Sequence, residues 1–253
     1  MRKIAICIFG ACLLLAGTLL AGPAENSFAE ANDAYRQKDY ETAMRLYGQL
    51  AESGNASADL YYNMGNACYR LNRLGEALLW YERALRLQPS NADIRANIAF
   101  VNSQTVDQME LLPEFFLKRW WGSFRSLLTA NGWAVVSIIC ALLFFAALVF
   151  FLITGELRLR IRLLVVCGCM LLFTGLAVGM AFSQKHALER TDEAIVTALS
   201  VSVRSMPDAS GMELFTVHEG MKVRLTDSVG EWVEVIFPNG SKGWMQRSQL
   251  TVI

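Results

Sequence analysis

The sequence predicts a multi-domain membrane protein: an all-α helical solenoid, a two-helix transmembrane hairpin and a small C-terminal all-β barrel. Three observations carry this. Residues 24–104 repeat themselves at a period of 34. Residues 132–182 contain two uncharged apolar runs. Residues 194–253 alternate apolar and polar positions in short runs split by Gly, Asp and Asn. The expected order is a leader over 1–29, repeats over 30–104, an interfacial linker over 105–131, and a span over 132–154. A loop over 155–162, a second span over 163–182, a linker over 183–193 and a β module over 194–253 complete it.

The apolar runs, Trp133 to Thr154 and Leu163 to Phe182, hold no charge. Each has about the twenty residues that an α-helix needs to cross ~30 Å of hydrocarbon. A buried core helix of that length ordinarily keeps a polar stripe, and neither run has one. Between them stand Arg158, Arg160 and Arg162 against one acid, Glu156. Short basic loops stay in the cytoplasm, so the hairpin tip is expected inside and the flanking segments outside. Lys118, Arg119, Arg125, Lys185 and Arg190 pull the other way. The absence of ionisable side chains within the runs argues against a transporter or proton path.

The leader MRKIAICIFGACLLLAGTLLAG has a basic start and an apolar body, and Ser27-Phe28-Ala29 offers a small-x-small cleavage site. An uncleaved signal anchor is the alternative, and both forms export the next segment. Formal net charge is zero, so no bulk pull toward nucleic acid is expected. Of six cysteines, Cys7 and Cys12 lie in the leader and Cys140, Cys167 and Cys169 in the spans. Only Cys68 is left in the exported part, so no disulfide is available there, and all six read as apolar filler.

Ala43 and Ala77, Tyr47 and Tyr81, and Tyr35 and Tyr69 are each 34 residues apart. The stretch DLYYNMGNACYRLNRLGEALLWYERALRLQPSN carries Gly65, Tyr69, Ala77, Tyr81, Ala84 and Pro89 and resembles the tetratricopeptide (TPR) repeat. The first copy is degenerate, with Ala31 in place of the glycine and Asn55 in place of the proline. Gly65 and Ala77 are small where two helices cross, and Pro89 ends a helix because it cannot continue the hydrogen-bond ladder. Ser90 to Asp93 can cap one further helix over 94–103. NDAYR and NACYR set Asn32, Tyr35 and Arg36 against Asn66, Tyr69 and Arg70, and with Tyr62 these form a candidate peptide-binding wall on the concave face. Amide and guanidinium donors suit a peptide backbone or carboxylate. The alternative is that these residues belong to the repeat's ordinary pattern.

In MELLPEFFLKRWWGSFRSLLTANGW, helical spacing puts Phe116, Trp120, Phe124 and Leu127 on one side. Tryptophan beside basic residues marks a membrane–water boundary, so Trp120, Trp121 and Trp133 are expected at the interface. Asn131-Gly132 should turn the chain into the first span. The alternative is a soluble aromatic core against the solenoid. The order of leader, repeats, NSQTVD, LPEFFLKRWW, FRSLLTANGWA, hairpin and β module resembles BatE-type proteins of bacterial aerotolerance (Bat) operons. The resemblance implies an inner-membrane location with both soluble modules in the periplasm. It also implies a complex with von Willebrand factor A-type membrane proteins and a MoxR-type ATPase, and no catalytic residues.

The last sixty residues resemble a bacterial SH3 domain, through VSVRSMP, HEGMKV, EWVEV and GSKGWMQRSQL. Pro238-Asn239-Gly240 reads as a hairpin turn with positive φ at both Asn239 and Gly240. Trp232, Phe237 and Trp244 are candidates for a groove taking peptide or peptidoglycan, with barrel core as the alternative reading. His186 and His218 have no metal-ligand or triad pattern around them. No nucleophile elbow, zincin, P-loop or paired-carboxylate motif is present, so no enzyme, cofactor or metal is expected. The function expected is a scaffold for envelope partners. Peptidoglycan sensing and capture of exported unfolded chains are the alternatives.

Overall fold

The 34-residue period becomes a stack of antiparallel helix pairs in a computed structural model that describes residues 23–107, 109 and 115–253. The first pair is α1 (Pro23–Arg36) and α2 (Tyr40–Glu52), and the second is α3 (Ala58–Arg70) and α4 (Leu74–Leu87). A single helix, α5 (Ala92–Asn102), closes the stack, with Asn91 accepting from the Asp93 and Ile94 amides as its cap. The turn inside each pair uses a left-handed residue at the same place: Lys38 at φ 65° and Asn72 at φ 59°. Asparagine tolerates that conformation better than lysine does. Gly65 is required, because a Cβ there would lie 2.6 Å from the Tyr81 ring.

The basic and apolar parts of the expected leader, residues 1–22, lie outside the described residues. Ser27-Phe28-Ala29, the expected cleavage site, falls inside α1, and Phe28 packs against Tyr47 with ring centroids 6.0 Å apart.

Beyond the solenoid, α6 (Phe116–Arg125) leads to two long apolar helices, α7 (Ala130–Ile153) and α8 (Leu157–Glu189). Both are long and apolar enough to cross a membrane. Asn131-Gly132 is not a turn: Thr129 caps α7 by accepting from the Gly132 amide, so both residues sit in the first helical turn. The connection is only residues 154–156, since Arg158, Arg160 and Arg162 already belong to α8. Helix α8 has 33 residues and rises about 50 Å. Its last turns, Ser183–Glu189, therefore continue past the apolar stretch toward the soluble units.

The C-terminal unit is one antiparallel sheet of seven strands in the order β3-β2-β6-β5-β4-β1-β7. The strands are β1 (Glu193–Val196), β2 (Ser200–Arg204), β3 (Glu213–His218), β4 (Lys222–Val229), β5 (Trp232–Ile236), β6 (Lys242–Gln246) and β7 (Leu250–Val252). Alternation sends Val201, Val203, Val233, Val235 and Met245 into its core. The 237–241 turn differs from the sequence expectation. Among the described non-glycine residues with positive φ, Asn239 is absent; only Gly240, at φ 84°, takes that region. The Gly240 amide donates to the Phe237 carbonyl, and Pro238, with its locked φ, takes the second position of a type I turn.

Candidate functional site

The concave wall is an internally bonded ladder. The Asn32 side-chain oxygen accepts from the Tyr47 hydroxyl at 2.7 Å and from the Asn63 amide at 3.1 Å. One period later, Asn66 accepts from Tyr81 at 2.7 Å and from Asn97 at 3.3 Å. Burial pushes the Tyr47 phenol up to about 12 and moves Tyr81 the same way. Tyr62 accepts from Asn97 at 3.1 Å. Both asparagine oxygens are thus engaged within the solenoid. Asn63 and Asn97 are not among the residues the sequence singles out by motif, although they too stand 34 residues apart.

The outer edge of the wall is more open. Tyr69 bonds Gln104 at 3.2 Å, and Tyr35 packs edge-on against Tyr40. Arg36 pairs with Asp33. The Tyr35 hydroxyl lies against Arg70 and holds its guanidinium further toward the charged form. Arg70 is exposed and has no carboxylate partner among the described residues. It is therefore the wall's best placed group for a peptide carboxylate.

On the β unit, Phe237 does not line a groove. It is buried in the core, edge-on to Phe215 at 5.1 Å. Trp232 and Trp244 are half-buried on the outer face. Trp232 stands opposite Gln246 and Trp244 opposite Glu234, so the two indoles are diagonal neighbours across β5 and β6. Arg204 pairs with Trp244 from β2, and Val229 with Trp232 from β4. The result is an aromatic patch with an acid on one side and a base on the other.

The aromatic helix α6 divides the three interface tryptophans. Trp120 and Trp121 are 62 % and 47 % exposed, with Trp120 stacked on Phe124. Trp133 is only 8 % exposed. Its indole donates to the Arg125 carbonyl at 3.1 Å, and its ring packs with Ala177 and Met180 of α8. It joins α6, α7 and α8 and is not exposed as Trp120 and Trp121 are.

Nothing in the sequence hints that the two soluble units are joined. One face of α4 carries the β unit. The Gly75 amide donates to Glu219 at 2.9 Å, and Leu79 packs with Ile195 and Ile253. Lys222 bridges Glu82 at 2.9 Å and Glu193 at 3.0 Å. Arg83 donates to the Val252 carbonyl at 2.7 Å while lying over Trp80, and burial pulls its guanidinium below its ordinary value. Arg86 reaches the Ile253 and Ala187 carbonyls. The segment after α5 adds a strap: Asp107 accepts from the His218 amide and meets its ring nitrogen at 3.0 Å, and Met109 packs on the β core. His218 is thus a structural residue.

Residues 65–105 match a family model described as TPR repeat, and residues 199–251 match one described as bacterial SH3 domain. No curated protein matches the chain. The two matches cover the stretch from Gly65 in α3 past α5, and β2 to the start of β7. Both are interaction modules, which points to protein binding.

Proposed function

We propose that this chain is a membrane-anchored interaction scaffold of the bacterial envelope. Its TPR and SH3-like units would bind partners of a Bat-type complex of von Willebrand factor A proteins and a MoxR ATPase. The observation that carries the reading is the joint formed by α4, the end of α8 and the β unit. Arg86 bonds the carbonyls of Ala187, Arg190 and Ile253 at once, so two interaction modules are held as one body at one end of an apolar hairpin. In this reading the hairpin spans the inner membrane, both units lie in the periplasm, and the chain is not an enzyme. The Bat partners come from the chain-wide resemblance alone. Photo-crosslinking from Tyr62 and Arg70 in cells tests it. Recovery of envelope von Willebrand-type proteins is expected, and their absence, with cytoplasmic proteins captured instead, would sink the reading.

Peptidoglycan sensing is the second reading, favoured by the Trp232–Trp244 patch on the outer face. Sedimentation of the full chain with sacculi, lost in Trp244→Ala, would support it. Indifference to that change would remove it. Capture of exported unfolded chains rests only on the Arg70 edge, and competition by unrelated C-terminal peptides would distinguish it.

A further inference from the structure

A cavity of about 270 Å³ opens where α4, α6, α8, β1 and β4 meet. Its wall includes Arg86, Arg125, Gln184, Arg190 and Lys222. Two of the four cations are neutralised: Lys222 by Glu82 and Glu193, and Arg190 by Asp192 at 3.0 Å. Arg86 bonds only carbonyls. Arg125 has no carboxylate partner among the described residues, and its Nε is buried without a hydrogen bond. Gln184 is 5 % exposed, and its Oε1 is likewise unpartnered. Both residues line the cavity, and a buried donor or acceptor left open ordinarily has a water or a ligand as its partner.

The cavity's position narrows the ligand. Arg125 ends the helix that exposes Trp120 and Trp121, and its carbonyl holds the Trp133 indole. Gln184 lies one turn beyond Met180, which packs on Trp133. The cavity therefore sits just past the end of the apolar stretch. If the hairpin spans the membrane, as proposed above, that is the headgroup level, where lipid phosphates lie. A water could satisfy an open atom, but the wall sets four cations against three carboxylates, Glu82, Asp192 and Glu193, and water adds no charge to balance the excess near Arg86 and Arg125.

We infer that this cavity binds a phosphate ester bearing a free hydroxyl, as a phosphoglycerol headgroup does. Phosphate oxygens accept from Arg125 Nε beside the Arg86 charge, and the hydroxyl donates to Gln184 Oε1. The test uses the full chain purified in detergent. Retention of phosphatidylglycerol over phosphatidylcholine is read by native mass spectrometry, and binding of soluble glycerol 3-phosphate by thermal shift. Arg125→Gln should weaken retention about tenfold, the loss of a charge-assisted bond, while Arg125→Lys keeps part of it. Gln184→Met should reduce the preference for phosphatidylglycerol over phosphatidylcholine, which has no free hydroxyl, and covers the case in which the arginine variants misfold. Selective lipid retention assigns the membrane as the source; binding of the soluble ester alone assigns a free metabolite. If neither ligand binds, or Arg125→Gln and Gln184→Met bind as the wild type does, the inference is overturned and the cavity holds water. Flotation with phosphatidylcholine vesicles reads the hairpin separately. Flotation without phosphate binding leaves the membrane reading standing and removes the site, and phosphate binding without flotation does the reverse.

Discussion

Helices α2 and α4 occupy the same place in successive repeats, and their inner faces are interchangeable. Tyr47 and Tyr81 each donate to an asparagine of the preceding helix at 2.7 Å. Their outer faces share little. Gly75, Leu79, Glu82, Arg83 and Arg86 of α4 hold the β unit. The positions 34 residues earlier are Glu41, Arg45, Gly48, Gln49 and Glu52, and Glu41, Arg45, Gln49 and Glu52 are exposed. A repeat constrains only the residues that face its neighbours. The outer face of one copy is free to recruit another domain, and here the second copy has done so.

The inner equivalence should break most severely at Gly65. Any side chain there must displace the Tyr81 ring, whereas the first copy already accommodates Ala31. Gly65→Val should cost about 3 kcal/mol and lower the helical melting temperature by on the order of 10 °C, followed by circular dichroism. Ala31→Val, at a buried position that already carries a Cβ, should cost less. Equal costs would show that the crossing at Gly65 is no tighter than that at Ala31.

The outer difference is tested by a matched pair. Leu79→Asp removes a buried leucine from the joint with Ile195 and Ile253, and should weaken docking by about 2–3 kcal/mol. Hydrogen exchange in β1 and β7 would then rise while β5 and β6 stay protected. Arg45→Asp, one period earlier on an exposed site, should leave every segment unchanged. A response at Arg45 would mean that the first copy also carries a docked element.

The same contrast between inner and outer faces separates the legible parts of the chain from the hidden ones. Inner positions recur: Tyr47 and Tyr81, and equally Asn63 and Asn97, announce themselves by their spacing, because a stacked repeat must present the same group to each neighbour. The apolar runs are legible because they lack the polar stripe that a helix with one face in water keeps, and the β unit because water on one face of a strand imposes alternation. The joint is not. Glu82 and Lys222 are 140 residues apart, and nothing in either local stretch marks the other as its partner. Phe237 and Trp133 mislead for a related reason: aromatic composition suggests exposed sites, but tertiary packing buries one in the β core and the other among three helices. The turn at Asn239 departs from expectation because Pro238 fixes the turn type before the Asn-Gly pair can.

Within the ladder, Asn66→Ala leaves the Tyr81 hydroxyl without its acceptor, and Asn32→Ala does the same to Tyr47. Each should cost about 1–2 kcal/mol by chemical denaturation. The two values should agree within a few tenths if the inner faces are equivalent. A clear excess at Asn66 would show that Asn97 and the closing helix α5 depend on it more than the first copy depends on Asn32.

The smallest effect is at Lys222. Burial alone would lower its affinity for a proton, but Glu82 and Glu193 outweigh burial and raise it. A group raised on folding contributes its stability in full below its ordinary value, near 10.5 for lysine, and loses it as pH climbs through the raised folded value. Protection of the joint should therefore not vary with this group at neutral pH and should decline only in strong alkali. The side chain is 38 % exposed, so solvent screening holds the contribution to about 1 kcal/mol. Lys222→Met should remove the alkaline decline measured by exchange in β1. It should also cost more than the double variant with Glu82→Gln, because the single change strands Glu82, whose side chain is only 14 % exposed. If the two changes are simply additive, the bridge does not couple α4 to the β unit, and the joint is held by Leu79 and the arginine–carbonyl bonds alone.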